Sequence, residues 1–314
     1  MTLLEKFRNG DVRALARLIS HVENRHDGYQ EILSRVFPDS GHAYKIGLTG
    51  PPGAGKSTLV DRLTEQLVAD GKKVGIIAVD PSSPFTGGAF LGDRIRMTDL
   101  IGQENVFIRS MATRGSSGGL AQATRDVNVL YDAFGFDYIL IETVGVGQVE
   151  LDIVDASDTV VVALVPESGD VIQAMKAGLM EIANIFCLNK ADRDGADRVI
   201  TELNHLLQIK REKSEWSFPV TPTSAVKNEG IDLLKKSILQ HEEFLKQSGL
   251  YKKHRKQQIK KEIIEHVRFM LTRKIETELA GTEFFDELLE DIFNRKSDPV
   301  NAAFDIYSRH YSKE

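Results

Sequence analysis

The chain is poor in several things, and each shortage excludes something. Its 314 residues include one cysteine, Cys187, so neither a disulfide framework nor an all-cysteine zinc site can be built. No run reaches the ~18 apolar residues of a membrane-spanning helix. The opening stretch, MTLLEKFRNGD, carries charges where a secretory signal is apolar. There is no basic excess. Lys and Arg total 40 against 46 Asp and Glu, a net charge of −6, which argues against general nucleic-acid binding. No internal repeat or low-complexity segment is evident. What remains is ordinary globular material, 41% hydrophobic and 27% charged, enough for one large domain with extensions. A reducing compartment, the cytoplasm, is expected.

Periodicity divides the chain into three. Leu3, Leu4, Phe7, Val12, Leu15, Leu18, Ile19 and Val22 recur at three- and four-residue steps, which predicts an amphipathic helical extension over residues 1–41. Over 42–247, short apolar runs alternate with helical stretches. The runs are YKIGLTG, KVGIIAVD, NVFIRS, DYILIET, TVVVALV, IFCLNK and FPVTPTSA. Such continuously apolar runs suit strands buried on both faces, so a doubly wound, mostly parallel α/β sheet of about seven strands is predicted. Residues 248–314 return to helical spacing, broken at Gly281.

The strongest local signal is Gly50-Pro-Pro-Gly53-Ala54-Gly55-Lys56-Ser57-Thr58, a match to G-x-x-x-x-G-K-[ST] between an apolar strand and a helical pattern. The glycines allow a tight turn whose N–H groups point at phosphate oxygens, and the following helix adds its positive end. Lys56 would reach the β- and γ-phosphates, and Ser57 would place its hydroxyl on Mg²⁺. Further on, Asn189-Lys190-Ala191-Asp192 follows the strand IFCL. A carboxylate there accepts from N1–H and the 2-amino group of guanine. Adenine offers neither donor and would leave it unpaired. Asn189 would tie this loop to the phosphate loop or to guanine N7, and the Lys190 stem would cover the base. Ser224, Ala225 and Val226, at the next strand end, would offer backbone N–H groups to guanine O6. An ordinary polar turn is the competing reading of residues 189–192.

Asp80 and Glu142 end apolar strands, in VDPSSP and ILIETVGVGQ, where a carboxylate can hold Mg²⁺ and its waters. Either could instead serve as a helix or turn cap. Gly145 could give its N–H to a γ-phosphate and flip when that phosphate leaves. The position after it is Val146, where Ras-like GTPases carry the water-orienting glutamine; Gln148 comes two residues later. Slow hydrolysis by the isolated protein is therefore expected. Asp80 through a water, Lys176, Arg94 and Arg96 are the candidates for positioning the attacking water.

The blocks PPGAGKST, VDPSSPFTGGAFLGDRIRM, TRGSSGGL, ETVGVGQVE, PESGDVIQAMKAGLMEIA and NKAD, in this order, resemble the MeaB/ArgK family of P-loop GTPases, which includes the human methylmalonic aciduria type A protein. The resemblance runs from about Leu15 to Leu245. It implies a GTPase that binds an adenosylcobalamin-dependent acyl-CoA mutase, usually methylmalonyl-CoA mutase, and uses GTP to gate cofactor loading and protection. It implies a homodimer, with residues 248–314 as a dimerisation arm. It puts the magnesium and switch acids at Asp80, Asp93 and Glu142, and gives Lys176 the role of swinging toward the nucleotide when the partner docks. The older ArgK name suggests an ATP-using kinase or transport ATPase, which the guanine signature opposes. A metallochaperone GTPase would need a Cys/His cluster that the sequence does not show. A nearly inert nucleotide-dependent scaffold stays open.

Cys187 and Trp216 are read as packing residues. The basic stretch 252–274 and the acids of 276–291 are read as solvated helix faces, with pairing across a dimer as an alternative. Arg114, in TRGSSGGL, serves either a switch loop or a plain one.

Overall fold

The structure is a computed structural model. It describes residues 1–80, 103–112, 119–143, 149–167, 178–212, 214–279 and 281–311. Three short helices come first: α1 (Leu3–Arg8), α2 (Val12–Glu23) and α3 (Tyr29–Val36). The starts of α1 and α2 are set locally. Thr2 and Glu5 form a reciprocal capping box, and the Asp11 carboxylate accepts from the N–H groups of Arg13 and Ala14.

Strands and helices then alternate. In chain order they are β1 (Tyr44–Thr49), α4 (Lys56–Ala69), β2 (Val74–Asp80), β3 (Val106–Ala112), α5 (Gly119–Phe134), β4 (Tyr138–Thr143) and α6 (Val149–Ala156). There follow β5 (Thr159–Leu164), α7 (Leu179–Ile182), β6 (Ile185–Leu188), α8 (Ala196–Glu212), β7 (Val220–Pro222) and α9 (Ile231–Gln247). Among the described residues the strands form one seven-stranded sheet, ordered β3-β2-β4-β1-β5-β6-β7, with every pairing parallel. The predicted parallel sheet is thus observed. All six residues of β4 and of β5 are buried, because helices cover both faces.

Strand alternation sorts the side chains into two cores. Ile46, Leu48 and Ile76 pack with Leu59 and Leu63 of α4 and Leu234 of α9. Ile77, Val79 and Ile141 pack on the other face with Tyr131 of α5 and with Leu15, Leu18 and Ile19 of α2. The N-terminal helices therefore belong to the main core. Phe7 reaches Phe134 with ring centroids 5.3 Å apart, and Arg109 of edge strand β3 pairs with Glu23 at 2.6 Å. Each buried side chain of this kind contributes roughly 1.5–3 kcal/mol over exposure.

The chain divides into two compact units, Met1–Ile259 and Lys260–Glu314. Helix α10 (Leu250–Leu279) starts in the first. Its root is fixed by Arg255, which donates to both carboxylate oxygens of buried Asp158 at 2.6 Å and to the Ala43 carbonyl at 2.8 Å. The second unit holds the rest of α10 with α11 (Glu283–Phe293) and α12 (Pro299–Tyr311). Within it, the Arg309 guanidinium lies 3.8 Å from the centre of the Phe284 ring. Ile263, Phe293, Phe304 and Tyr307 of this unit are exposed.

Candidate nucleotide-binding site

The carboxyl ends of β1, β4, β6 and β7 bring the predicted loops to one edge of the sheet, as parallel α/β topology requires. From β1 the chain turns through Gly50, at φ +136°. A Cβ there would come within 2.1 Å of the Ala163 carbonyl oxygen on β5, so only glycine fits. Gly53 and Gly55 also have positive φ. Gly55 is the N-cap of α4 and offers no side chain to its first turn. That leaves the leading N–H groups of a 14-residue helix without a side-chain cap, the arrangement that favours a phosphate. Lys56 is buried and folds back over the loop. Its Nζ donates to the carbonyls of Gly50 at 2.8 Å and Pro51 at 3.0 Å. Thr58 follows in the same helix, half-buried.

Two of the expected metal residues meet. The Ser57 hydroxyl donates to Glu142 Oε1 at 2.6 Å, and Glu142 is buried at the end of β4. Asp80 ends the neighbouring strand, where Ala78 is in register with Glu142 and Val79 with Thr143. A hydroxyl and a carboxylate beside a phosphate loop form a hard-oxygen donor set that fits Mg²⁺. Asp93, Arg94, Arg96, Arg114, Gly145, Val146, Gln148 and Lys176 lie outside the described residues, and of Asp80 only the backbone is described.

The base-side loops are latched to the phosphate loop by Asn189, which is buried at the end of β6. Its Nδ2 donates to the Ala54 carbonyl at 2.8 Å. Its Oδ1 accepts from the Ala225 N–H at 3.1 Å and from the Thr223 hydroxyl at 3.3 Å. Of the two roles open to it in the sequence, this contact is the tie between loops. One amide thus spans the phosphate loop, the N-K-x-D loop and the Ser224-Ala225 loop. The same amide holds the loop that carries Asp192 beside the phosphate loop.

Known proteins resemble the chain over most of its length. The sequence profile of the methylmalonyl-CoA mutase-associated GTPase MeaB matches residues 15–280. The chain belongs to the MeaB family. A Pyrococcus abyssi relative is 50% identical over 304 residues, covering 96% of this chain and 94% of that protein. The mouse methylmalonic aciduria type A homolog is 38% identical over 240 residues, covering 71% of this chain and 58% of that protein. The crystal structure of a LAO/AO transport system kinase superposes with a TM-score of 0.72 at 29% identity, covering 98% of this chain and 95% of that one.

In this MeaB-family GTPase the carboxyl group of Asp192 sits below the usual carboxylate range. The Ser224 hydrogen bond is the main cause, followed by Lys227, whose Nζ lies 3.1 Å away. An ionised acceptor is what guanine requires. Lys190 takes a positive φ of 57°, which turns the N-K-x-D loop sharply, and Ala191 N–H is held by the Thr223 carbonyl at 2.9 Å. Ser224 and Ala225 are buried, whereas Val226 is 81% exposed. Cys187 lies beneath, fully buried against Thr223, with its thiol pushed up to about 12 by burial. It is a core residue, as read from the sequence.

Two contributors were not among the residues read from the sequence. Lys227 pairs with Asp192. Arg62, on α4, donates to the Ala225 carbonyl at 3.3 Å and so ties the base loop to the phosphate-loop helix. Neither has a motif. The one available signal was a lone cation beside the Ser224-Ala225 turn.

Proposed function

We propose that this MeaB-family GTPase is the nucleotide-gated chaperone of an adenosylcobalamin-dependent acyl-CoA mutase of the methylmalonyl-CoA mutase type. In this role it gates cofactor loading and protects the loaded enzyme. The observation that supports the nucleotide half is the Asn189 latch, which joins three loops at one edge of the sheet, and in this reading those loops enclose a guanine nucleotide. The partner half rests on the family, whose description names association with methylmalonyl-CoA mutase.

In this reading the phosphate-loop N–H groups and Lys56 hold the β- and γ-phosphates, and Asp192 reads guanine. Ser57 and Glu142, with Asp80 and Asp93, would hold Mg²⁺, which supplies charge neutralisation to the transferring phosphoryl group. Basal hydrolysis is slow, since Val146 cannot orient water. Lys176 completes the site when the mutase docks, and Gly145 senses the γ-phosphate. Residues 1–41 form a helical extension, 42–247 the GTPase domain and 248–314 the arm of a homodimer. Exposed Ile263, Phe293, Phe304 and Tyr307 suit burial against a second copy. The reading takes the protein to be cytoplasmic and to bind no nucleic acid. No described helix is long and apolar enough to cross a membrane.

The test is paired. Single-turnover hydrolysis of GTP and of ATP is followed with and without the mutase encoded in the same genome. Co-purification is then scored with GDP and with a non-hydrolysable GTP analogue. GTP preference, mutase stimulation and nucleotide-dependent co-purification are expected. Equal ATP turnover, or indifference to every cobalamin-dependent mutase offered, refutes the reading.

A further inference from the structure

A cavity of about 330 Å³ opens at the amino ends of β5 and β6, on the far side of the sheet from the nucleotide loops. It has room for about ten waters, or a ligand with a similar number of heavy atoms. Its apolar walls are Val154 of α6, Val160 of β5, Ile182 of α7, and Leu245 and Leu250 of α9 and α10. All of its polar lining groups except Asp158 can donate, although the Ser157 hydroxyl is spent on the Ile153 carbonyl.

The first donor is His241, whose proton position follows from its neighbours. Burial holds the Tyr44 phenol protonated, and its hydroxyl has Thr159 Oγ1 as its hydrogen-bond partner. Thr159 is the one hydrogen-bond partner of the Tyr44 hydroxyl among the described residues, so assigning the phenol proton to it satisfies that buried donor, and the Thr159 hydroxyl is then assigned as donor to His241 Nδ1 at 2.7 Å. The remaining proton of this neutral imidazole is then on Nε2, which makes no hydrogen bond among the described residues. The second donor is Asn184. Its Oδ1 accepts the Val160 N–H at 2.7 Å, which fixes the amide and leaves the Nδ2 donor unused. His254 and Lys253 complete the set at the root of α10; neither side chain makes a hydrogen bond or ion pair among the described residues, and His254 lies in the field of the Asp158 and Asp155 carboxylates and of Arg255. The carboxylate in the lining, Asp158, is already consumed by Arg255 and by the Lys45 N–H.

We propose that this cavity binds a small organic anion, a monocarboxylate with a compact apolar body. The carboxylate would lie among His241 Nε2, His254, Asn184 Nδ2 and Lys253, and the body against the aliphatic walls. The donor excess calls for an anion, and the aliphatic lining calls for carbon, so inorganic phosphate is the poorer match. Such a ligand would bridge α6, α7, α9 and the root of α10.

The assay is calorimetric titration of the nucleotide-free, full-length protein with isovalerate and benzoate. Emission of Trp216, the one tryptophan of the chain, is followed in parallel, since its ring centre lies 4.7 Å from that of His241. Saturable binding in the millimolar range or tighter is expected, with isovaleramide and inorganic phosphate at least about tenfold weaker. Lys253→Gln and His254→Leu, on the more exposed side of the cavity, should each weaken isovalerate about tenfold. Three results overturn the proposal: no saturation by either acid up to about 20 mM, equal binding of amide or phosphate, or unchanged affinity in both variants. None of these measurements involves GTP or the mutase, so failure here is separable from failure of the GTPase reading.

Discussion

Replacing Asn189 with alanine removes the clasp that joins three loops, and the structure sets the size of the effect. Three hydrogen bonds are lost. The Thr223 hydroxyl can turn to Cys187 Sγ, 3.2 Å away, so its loss costs little. The Ala54 carbonyl and the Ala225 N–H cannot move, and both belong to residues no more than 2% exposed. Leaving a buried backbone group unpaired costs about 1–3 kcal/mol, and partial entry of water keeps the pair near the lower end, about 2–4 kcal/mol in total. For a unit of this size that is a fall in melting temperature of roughly 4–16 °C. GTP affinity should drop as well, by about tenfold to a hundredfold, because binding must then order loops that Asn189 had ordered in advance. Asn189→Asp should do no better. It keeps the acceptor for Ala225 but sets a carboxylate against the Ala54 carbonyl. Urea unfolding of the nucleotide-free protein and titration with a fluorescent guanine nucleotide measure the two effects. If Asn189→Ala stays within about 0.5 kcal/mol of the parent and binds GTP unchanged, the latch argument is wrong.

Three further outcomes are expected. Asp192→Asn should move preference from guanine toward xanthine nucleotides, since donor and acceptor reverse; competition binding with XTP and GTP decides it, and unchanged GTP selectivity removes Asp192 from the base site. Gly50→Ala should destabilise the first unit by at least about 3 kcal/mol in urea, because it combines a disfavoured φ with a Cβ pressed on the Ala163 carbonyl. A loss under about 1 kcal/mol would contradict the close approach of β1 and β5. His241 has a folded-state pKa lowered to about 4 by burial, then by His254, against about 6.5 when unfolded. The unfolded chain therefore takes up the proton first, and stability falls as pH drops from about 6.5 toward 4, by up to about 3 kcal/mol from this group. Urea midpoints across that window should show the slope, and His241→Gln, which can still accept from Thr159, should flatten it.

What the sequence determined by itself was the part of the molecule written in local chemistry. Strands β1 to β7 stand where the apolar runs fall, because a parallel sheet buries both faces of its central strands, which then cannot hide in an alternating pattern, while the edge strands β3 and β7 are only partly buried. The phosphate loop was legible because its glycines must adopt positive φ and its lysine and serine are fixed by spacing. The N-K-x-D loop was legible because guanine's donors demand a carboxylate at a strand end. Spacing likewise exposed the N-terminal helices, but not their place. Only the tertiary structure set Leu15, Leu18 and Ile19 into the same core as Ile77 and Ile141. It also showed Asn189 tying the N-K-x-D loop to the phosphate loop, paired Ser57 with Glu142 across 85 residues, and brought Arg62 and Lys227 to the base loops. The donor-lined cavity at the foot of the sheet was invisible for the same reason. His241, His254 and Asn184 are scattered along the chain without a motif, and they converge because β5, β6, α9 and α10 begin or end at one edge. Spacing along a chain encodes contacts within a turn or a strand. Contacts between distant segments depend on where strand order and helix packing deliver them, and no local pattern records that address.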